Sequence, residues 1–302
     1  MKEVQDKIQD KYDKFGQDAN LYLQGFLHSK PINYWDYIEV DTLLSLQKPK
    51  TYFADETVFI MYHQITELVF KLMLHELKQM VHPDLKDATE ISLKMGRLVR
   101  YTDLLINSFS IMNQGMKYED YNQFRLALAP ASGFQSAQFR MIEIYCTPID
   151  NLIPSLRRKT VNSGTTLEDK FQLVYWQDAG HDRVTGKKTL TLEQFEKRYL
   201  KDFVLFAQEM TDNNLDVKFS RLKEEGKITR ELEQSFRNFD RKFNIEWPMV
   251  HLQTAHTYLG KGKDKKEATG GSHWEKYLHP KFQKRIFFPS VWTKEEKEIW
   301  GE

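Results

Sequence analysis

Apolar side chains recur at intervals of three and four along most of this chain, and strict alternation is scarce. Such a surface is buried by packing helices together rather than by half-burying a sheet. The stretch FIMYHQITELVFKLMLHEL, residues 59–77, lies within a pattern that predicts one long helix from about Asp55 to Met80, closed by HPDL at residues 82–85. A second long helix is expected from about Ala88 to Met112, and Val4, Ile8, Tyr12 and Phe15 form an apolar stripe near the N-terminus. The segment INYWDYIEVDTLLSLQKP ends at Pro49, whose ring disfavours helix in the residue before it. YNQFRLALAPASGFQSAQFRMIEIY reads as two helical pieces around Pro130, Ser132 and Gly133. WPMVHLQTAHTYL reads as a short helix with Pro248 in its first turn and Gly260 at its end. The expected fold class is all-α, with residues 1–302 as one domain. Within it, region 157–240, where polar loops separate ordinary amphipathic helices, is expected to be a helical subdomain or insertion.

Composition narrows the chemistry. A chain of 302 residues with 40% hydrophobic and 29% charged content can bury a sizeable core. Its 44 Lys and Arg against 43 Asp and Glu give a formal charge of +1, so no global field draws it to nucleic acid or to an anionic membrane. Cys146 is the single cysteine. That excludes an intramolecular disulfide, a multi-cysteine zinc site, a cysteine-ligated iron–sulfur cluster and C-x-x-C-H haem attachment, and it fits a reducing, cytoplasmic setting. The first residues lack a signal-peptide core, and nowhere do 18 uncharged apolar residues run together, so neither export nor a membrane span is expected.

At about 100° per residue, Phe59, His63, Glu67 and Phe70 share one helical face, whereas His75 lies about 120° from His63. The two histidines are no chelating pair, and HELKQ does not complete H-E-x-x-H. A lone histidine among apolar residues is first of all a core imidazole satisfied by a hydrogen bond. His251 shares a face with Pro248, Leu252, Ala255 and Tyr258. It would suit either core packing or a noncovalent haem that needs one neutral proximal imidazole. Arg125, amid apolar and aromatic neighbours, costs desolvation unless it meets a carboxylate of the protein or of a ligand. The loop Ala268–Ser272 could close over a zwitterion with its N–H groups and the Thr269 hydroxyl, or be a plain turn. GKGKDKK lacks the Walker A pattern.

FIMYHQITELVFKLMLHEL, YNQFRLALAPASGFQSAQFRMIE, WPMVHLQTAHTYLG and ATGGS occur in that order, and together they resemble the signature segments of the tryptophan 2,3-dioxygenases. The likeness extends to INYWDYIEVDTLLSLQKP and is thin over 157–240. It implies an all-α helical bundle around a noncovalent haem b. The reaction implied joins both atoms of O2 to the indole C2–C3 bond of L-tryptophan and yields N-formyl-L-kynurenine. His251 would be the proximal iron ligand and His63 the distal histidine that meets the indole N–H. Phe59 would wall the indole pocket, with Tyr121 near the substrate. Arg125 would pair with the substrate carboxylate, and Thr269 would hold its ammonium and carboxylate end. Ser132 falls at the family's haem-side serine, and Phe109 at an aromatic near the haem edge. Tyr34, Tyr37 and Ile38 match a segment that the family donates across a subunit interface, which implies a homo-oligomer, typically a tetramer. The chain departs from the family pattern at Val69, Phe109, Ala268 and His273–Trp274. These departures bear on substrate scope and rate more than on haem binding. The rival reading is a haem monooxygenase on tryptophan or a substituted indole amino acid, and the third is a haem or tryptophan sensor without turnover, against which His63, Arg125 and Thr269 speak.

Overall fold

Helix makes up nearly all the regular structure of the computed structural model, which describes residues 2–128, 133–182, 185–260 and 274–302. The one strand-like pairing among these is an isolated antiparallel bridge between His181 and Lys188. None of the helices described is long and apolar enough to cross a membrane.

The chain divides into two units, Met1–Lys48 and Pro49–Glu302. The first contains α1 (Lys2–Asp13), α2 (Ala19–Phe26) and the short helices α3 (Tyr34–Tyr37) and α4 (Val40–Leu44). Its apolar residues are almost all uncovered: Ala19 is the single buried one among the described residues, while Phe15, Phe26, Tyr34, Trp35 and Tyr37 are exposed. Of the stripe read near the N-terminus, Val4, Ile8 and Tyr12 lie on α1 and Phe15 falls just beyond its end; Tyr12 packs 4.5 Å from Tyr22, while Val4 and Phe15 stay exposed.

The second unit begins with the long helix α5 (Asp55–Met80), which has the bounds that the sequence predicts. Two first-turn acids fasten its start. Asp55 accepts a hydrogen bond from the Lys117 N–H at 2.6 Å, and the fully buried Glu56 accepts from the N–H groups of Lys50 and Thr51, each at 2.7 Å. At the far end Lys218 donates to the carbonyl of Met80, the last residue of the helix, and to that of His82 just beyond it. Helix α6 (Ala88–Gly115) runs three residues beyond the expected end, and α7 (Tyr118–Ala127) follows it. After residues 129–132, which are outside those described, α8 (Ala137–Cys146) is capped by Ser136.

Next come α9 (Ser155–Arg158), α10 (Leu167–Leu173), α11 (Leu190–Met210), α12 (Leu215–Glu224) and α13 (Arg230–Arg241). Phe171, Trp176, Phe195, Phe219 and Phe236 from this region join the same hydrophobic cluster as Phe70 and Leu77 of α5 and Phe287 near the C-terminus.

WPMVHLQTAHTYL is not a free-standing helix. From α13 the chain passes through a π-helical turn, Lys242–Glu246, directly into α14 (Trp247–Leu259), so one helix runs from 230 to 259 with Pro248 in its interior. In a regular α-helix the ring of Pro248 would collide with the carbonyl of Asn244, at a cost of about 3 kcal/mol. The wider turn, in which the Trp247 N–H donates to the Lys242 carbonyl, opens the helix just before the proline. It also turns everything downstream by roughly 100° relative to α13, which decides where His251 points. The C-terminal stretch holds α15 (Trp274–Leu278) and α16 (Lys294–Glu298), and Phe287, Phe288 and Trp300 are buried as packing residues.

Asp216 of α12 offers a stability test. Burial, together with the nearby Asp240, pushes its carboxyl up to about 7, and its Oδ1 has no hydrogen-bond partner. The folded chain therefore binds more protons than the unfolded one between about pH 4 and 7, and stability falls as pH rises through that window. Asp216→Asn is expected to raise Tm relative to the wild type at pH 8, on the order of a few °C, and to make little difference at pH 4, as read by thermal melts.

Candidate active site

His63 lies on α5 one turn after Phe59, and its Nδ1 is 2.8 Å from the Phe59 carbonyl oxygen. A carbonyl can only accept, so Nδ1 carries the proton and, in the neutral ring, Nε2 is left as an acceptor. Burial lowers the pKa of His63, against the hydrogen bond to Phe59 and the charge of Glu67, and so favours that neutral ring. His251 lies on α14, where burial and the proximity of His63 lower its pKa to about 4. His251 is nonetheless left exposed where it lines a cavity.

Both imidazoles line one cavity of about 280 Å³, near the lower bound of about 300 Å³ usual for small-molecule sites. A chain of rings joins them. Phe109 of α6 sits 5.3 Å from the His251 ring and 5.5 Å from Tyr62, whose edge meets His63 at 5.4 Å. Phe59 packs 4.2 Å from His63 and 6.2 Å from Tyr121, and Tyr121 packs 4.7 Å from Tyr258. The Tyr258 hydroxyl donates to the carbonyls of Met112 and Met116, which pins α14 to the end of α6. Glu67 also lines the cavity, its carboxylate held by Gln138 at 2.7 Å.

A second end of the cavity went unread in the sequence. Arg140 of α8 and Arg285 line it with Tyr175 and Tyr277. Arg140 donates to Glu143 at 2.8 Å and to the Tyr175 hydroxyl at 2.7 Å, while Arg285 donates to the same hydroxyl at 2.8 Å and lies 3.6 Å from Glu143. Burial opposes the charge on Arg140, but Tyr175, Glu143 and Tyr277 outweigh it and hold the guanidinium cationic. Two guanidiniums thus face one carboxylate, and the buried Arg140 Nε–H has no partner among the described residues. Such an excess of buried donors and positive charge suits an anionic group. An arginine in the apolar run FRMIEIY is the same signal that singled out Arg125, and it could have found Arg140. Nothing local in KFQKRIFF marks Arg285.

The cavity thus brings together Phe59, His63, Phe109, Tyr121 and His251. Arg125 is partly buried one turn after Tyr121 on α7 and does not line it. Ser132 and Thr269, with Ala268 and the rest of the ATGGS loop, lie outside the described residues. Tyr34, Tyr37 and Ile38 are exposed in the Met1–Lys48 unit. His75 is a surface residue on the outer side of α5, and Val69 is buried in the main core away from the cavity wall.

The charge imbalance at the basic end has a measurable consequence. Glu143→Gln would leave two buried guanidiniums without a counter-charge and is expected to cost about 3–5 kcal/mol. Arg140→Met leaves Glu143 beside Arg285 and should cost less. Urea denaturation of the ligand-free protein checks the order, and equal losses would contradict the imbalance.

A family model described as tryptophan 2,3-dioxygenase matches residues 24–162. The chain is 26% identical to the tryptophan 2,3-dioxygenase of Geobacillus thermodenitrificans over 95% of this chain and 98% of that protein. It is 29% identical to the tryptophan 2,3-dioxygenase of Bacillus thuringiensis over 87% of this chain and 91% of the relative. Similarity to tryptophan 2,3-dioxygenase 2 of Ralstonia nicotianae is more local, at 37% identity over 48% of this chain and 40% of that one.

Proposed function

Because the chain belongs to the tryptophan 2,3-dioxygenase family, we propose that it is a haem-dependent dioxygenase of L-tryptophan that forms N-formyl-L-kynurenine. Two neutral imidazoles lining one aromatic cavity, with the Nδ1 of His63 committed to the Phe59 carbonyl, carry this reading. The residues present fit a haem b held without covalent attachment. The rings around His251 and His63 suit an apolar macrocycle, and the surplus guanidinium charge at Arg140 and Arg285 suits its carboxylates. Bound there, ferrous haem supplies activation of O2, whose two atoms become the carbonyl oxygens formed as the indole C2–C3 bond breaks.

The chain's own residues supply the rest. His251, neutral well below pH 7, has a lone pair for the iron. The free Nε2 of His63 accepts the indole N–H. A substrate unable to donate there would leave a buried acceptor unpaired, at about 1–3 kcal/mol. Phe59 and Tyr121 wall the indole and keep water out. Arg125 is the proposed partner of the substrate carboxylate, with its planar fork matched to that shape. Thr269 would hold the ammonium and carboxylate end, Phe109 would flank the haem edge, and Ser132 would lie on the haem side.

A homotetramer belongs to the same proposal, with Tyr34, Tyr37 and Ile38 reaching a neighbouring subunit's site. Its support is the uncovered apolar surface of the Met1–Lys48 unit. A second support is the exposed row Met61, Ile65, Leu68 and Leu72 on α5, at the spacing of a helix–helix seam. Contiguous apolar surface of this kind marks interaction sites.

Two experiments test the reading. With reduced, haem-loaded protein and labelled O2, mass spectrometry is expected to find two labelled oxygens in a ring-opened product. A single label would replace the dioxygenase with a monooxygenase. His251→Ala is expected to lose stoichiometric haem while staying folded by circular dichroism; a full Soret band in that variant would remove His251 from the iron.

A further inference from the structure

We propose that Asp240 is a positioning residue that sets His251 relative to Arg285, and so the distance between the two places at which the cavity would hold the haem of the reading above. Asp240 is completely buried near the end of α13. Its Oδ1 accepts from Asn244 Nδ2 at 2.7 Å and from the Phe287 N–H at 3.0 Å, and its Oδ2 accepts from the Phe288 N–H at 3.2 Å and from the Trp292 indole at 2.9 Å. Asn244 belongs to the π-helical turn that leads into α14 and His251. Phe287 and Phe288 follow Arg285 by two and three residues. One side chain therefore fastens two segments far apart in sequence, each of which delivers a residue to the cavity wall.

Four N–H groups converge on Asp240, and only a carboxylate offers an acceptor to each. Burial raises its pKa and the donors lower it, and the acids within electrostatic reach are Asp216 on α12 and Cys146 on α8. With every bonding direction met by a donor, an acid proton would have no acceptor to point at. A cap for a single segment would need one or two of these bonds; holding both segments uses all four.

Asp240→Asn keeps the shape and spoils the pattern, because whichever way the amide turns, its NH2 faces two donors. In the haem-free variant, hydrogen exchange is expected to speed up at least tenfold at Phe287 and Phe288 and through residues 243–247. After loading, haem release should be at least tenfold faster, with a displaced Soret band. Phe171→Leu, a core change on α10 outside both segments, serves as the control; it should lower Tm yet leave haem release and the Soret band at wild-type values. If Asp240→Asn does not fold, Asn244→Ala removes only the bond to the π-turn. It should hasten haem release while Phe287 and Phe288 stay protected. A folded Asp240→Asn with wild-type exchange and haem release overturns the proposal, as does a Phe171→Leu that loses haem equally fast. Failure of the wild type itself to bind haem overturns the functional reading instead, and the exchange data then decide on Asp240 alone.

Discussion

Pro248 cannot donate a backbone hydrogen bond and cannot tolerate a carbonyl four residues behind it, yet it stands inside a helix that runs without a break from 230 to 259. The π-turn at Lys242–Glu246 reconciles these facts, and the cavity depends on it. One added residue in the turn rotates Trp247, His251, Ala255 and Tyr258 together relative to α13. That rotation faces the imidazole toward α6 and the aromatic wall, while α13 keeps its own apolar residues in the main core. A regular helix could not serve both surfaces with this sequence.

The cavity is chemically divided. Around His63 and His251 it is lined by the rings of Phe59, Tyr62, Phe109 and Tyr121, a largely apolar wall. Around Arg140 and Arg285 it concentrates charge, and Glu143 and Tyr175 compensate that charge only in part. Buried ions of unequal number are a poor means of stabilising a fold, since desolvation offsets most of what pairing returns. Their presence on the cavity wall is better accounted for by an anionic ligand than by stability.

Much of the helical framework was legible in advance. Helix α5 has its predicted ends because its signals are local: acids in the first turn, a continuous periodic face and HPDL beyond it. The grouping of Phe59 with His63, and of Pro248 with His251, Ala255 and Tyr258, follows from helical geometry over a few turns and is what the cavity shows, whereas Leu252, read on the same face, packs in a separate small cluster. The end of α6 ran past its prediction because Asn113, Gln114 and Gly115 carry no apolar periodicity to read. His75 resembled His63 in its local surroundings and differed only in the face it occupied, which put it at the surface.

By itself, then, the sequence determined the all-helical class, the position of the long helices and the face on which each histidine lies. All three depend on neighbours within a turn or two. Tertiary structure alone decided that α13 and α14 are one helix, because whether a proline opens a helix or interrupts one depends on what the preceding turn packs against. It alone assembled Arg140, Glu143, Tyr175, Tyr277 and Arg285 from separate parts of the chain into one basic end. It also made Asp240, outwardly an ordinary helical aspartate, the acceptor for donors 47, 48 and 52 residues away. Long-range hydrogen bonds leave no periodicity in a sequence; they arise only where packing brings the partners within reach.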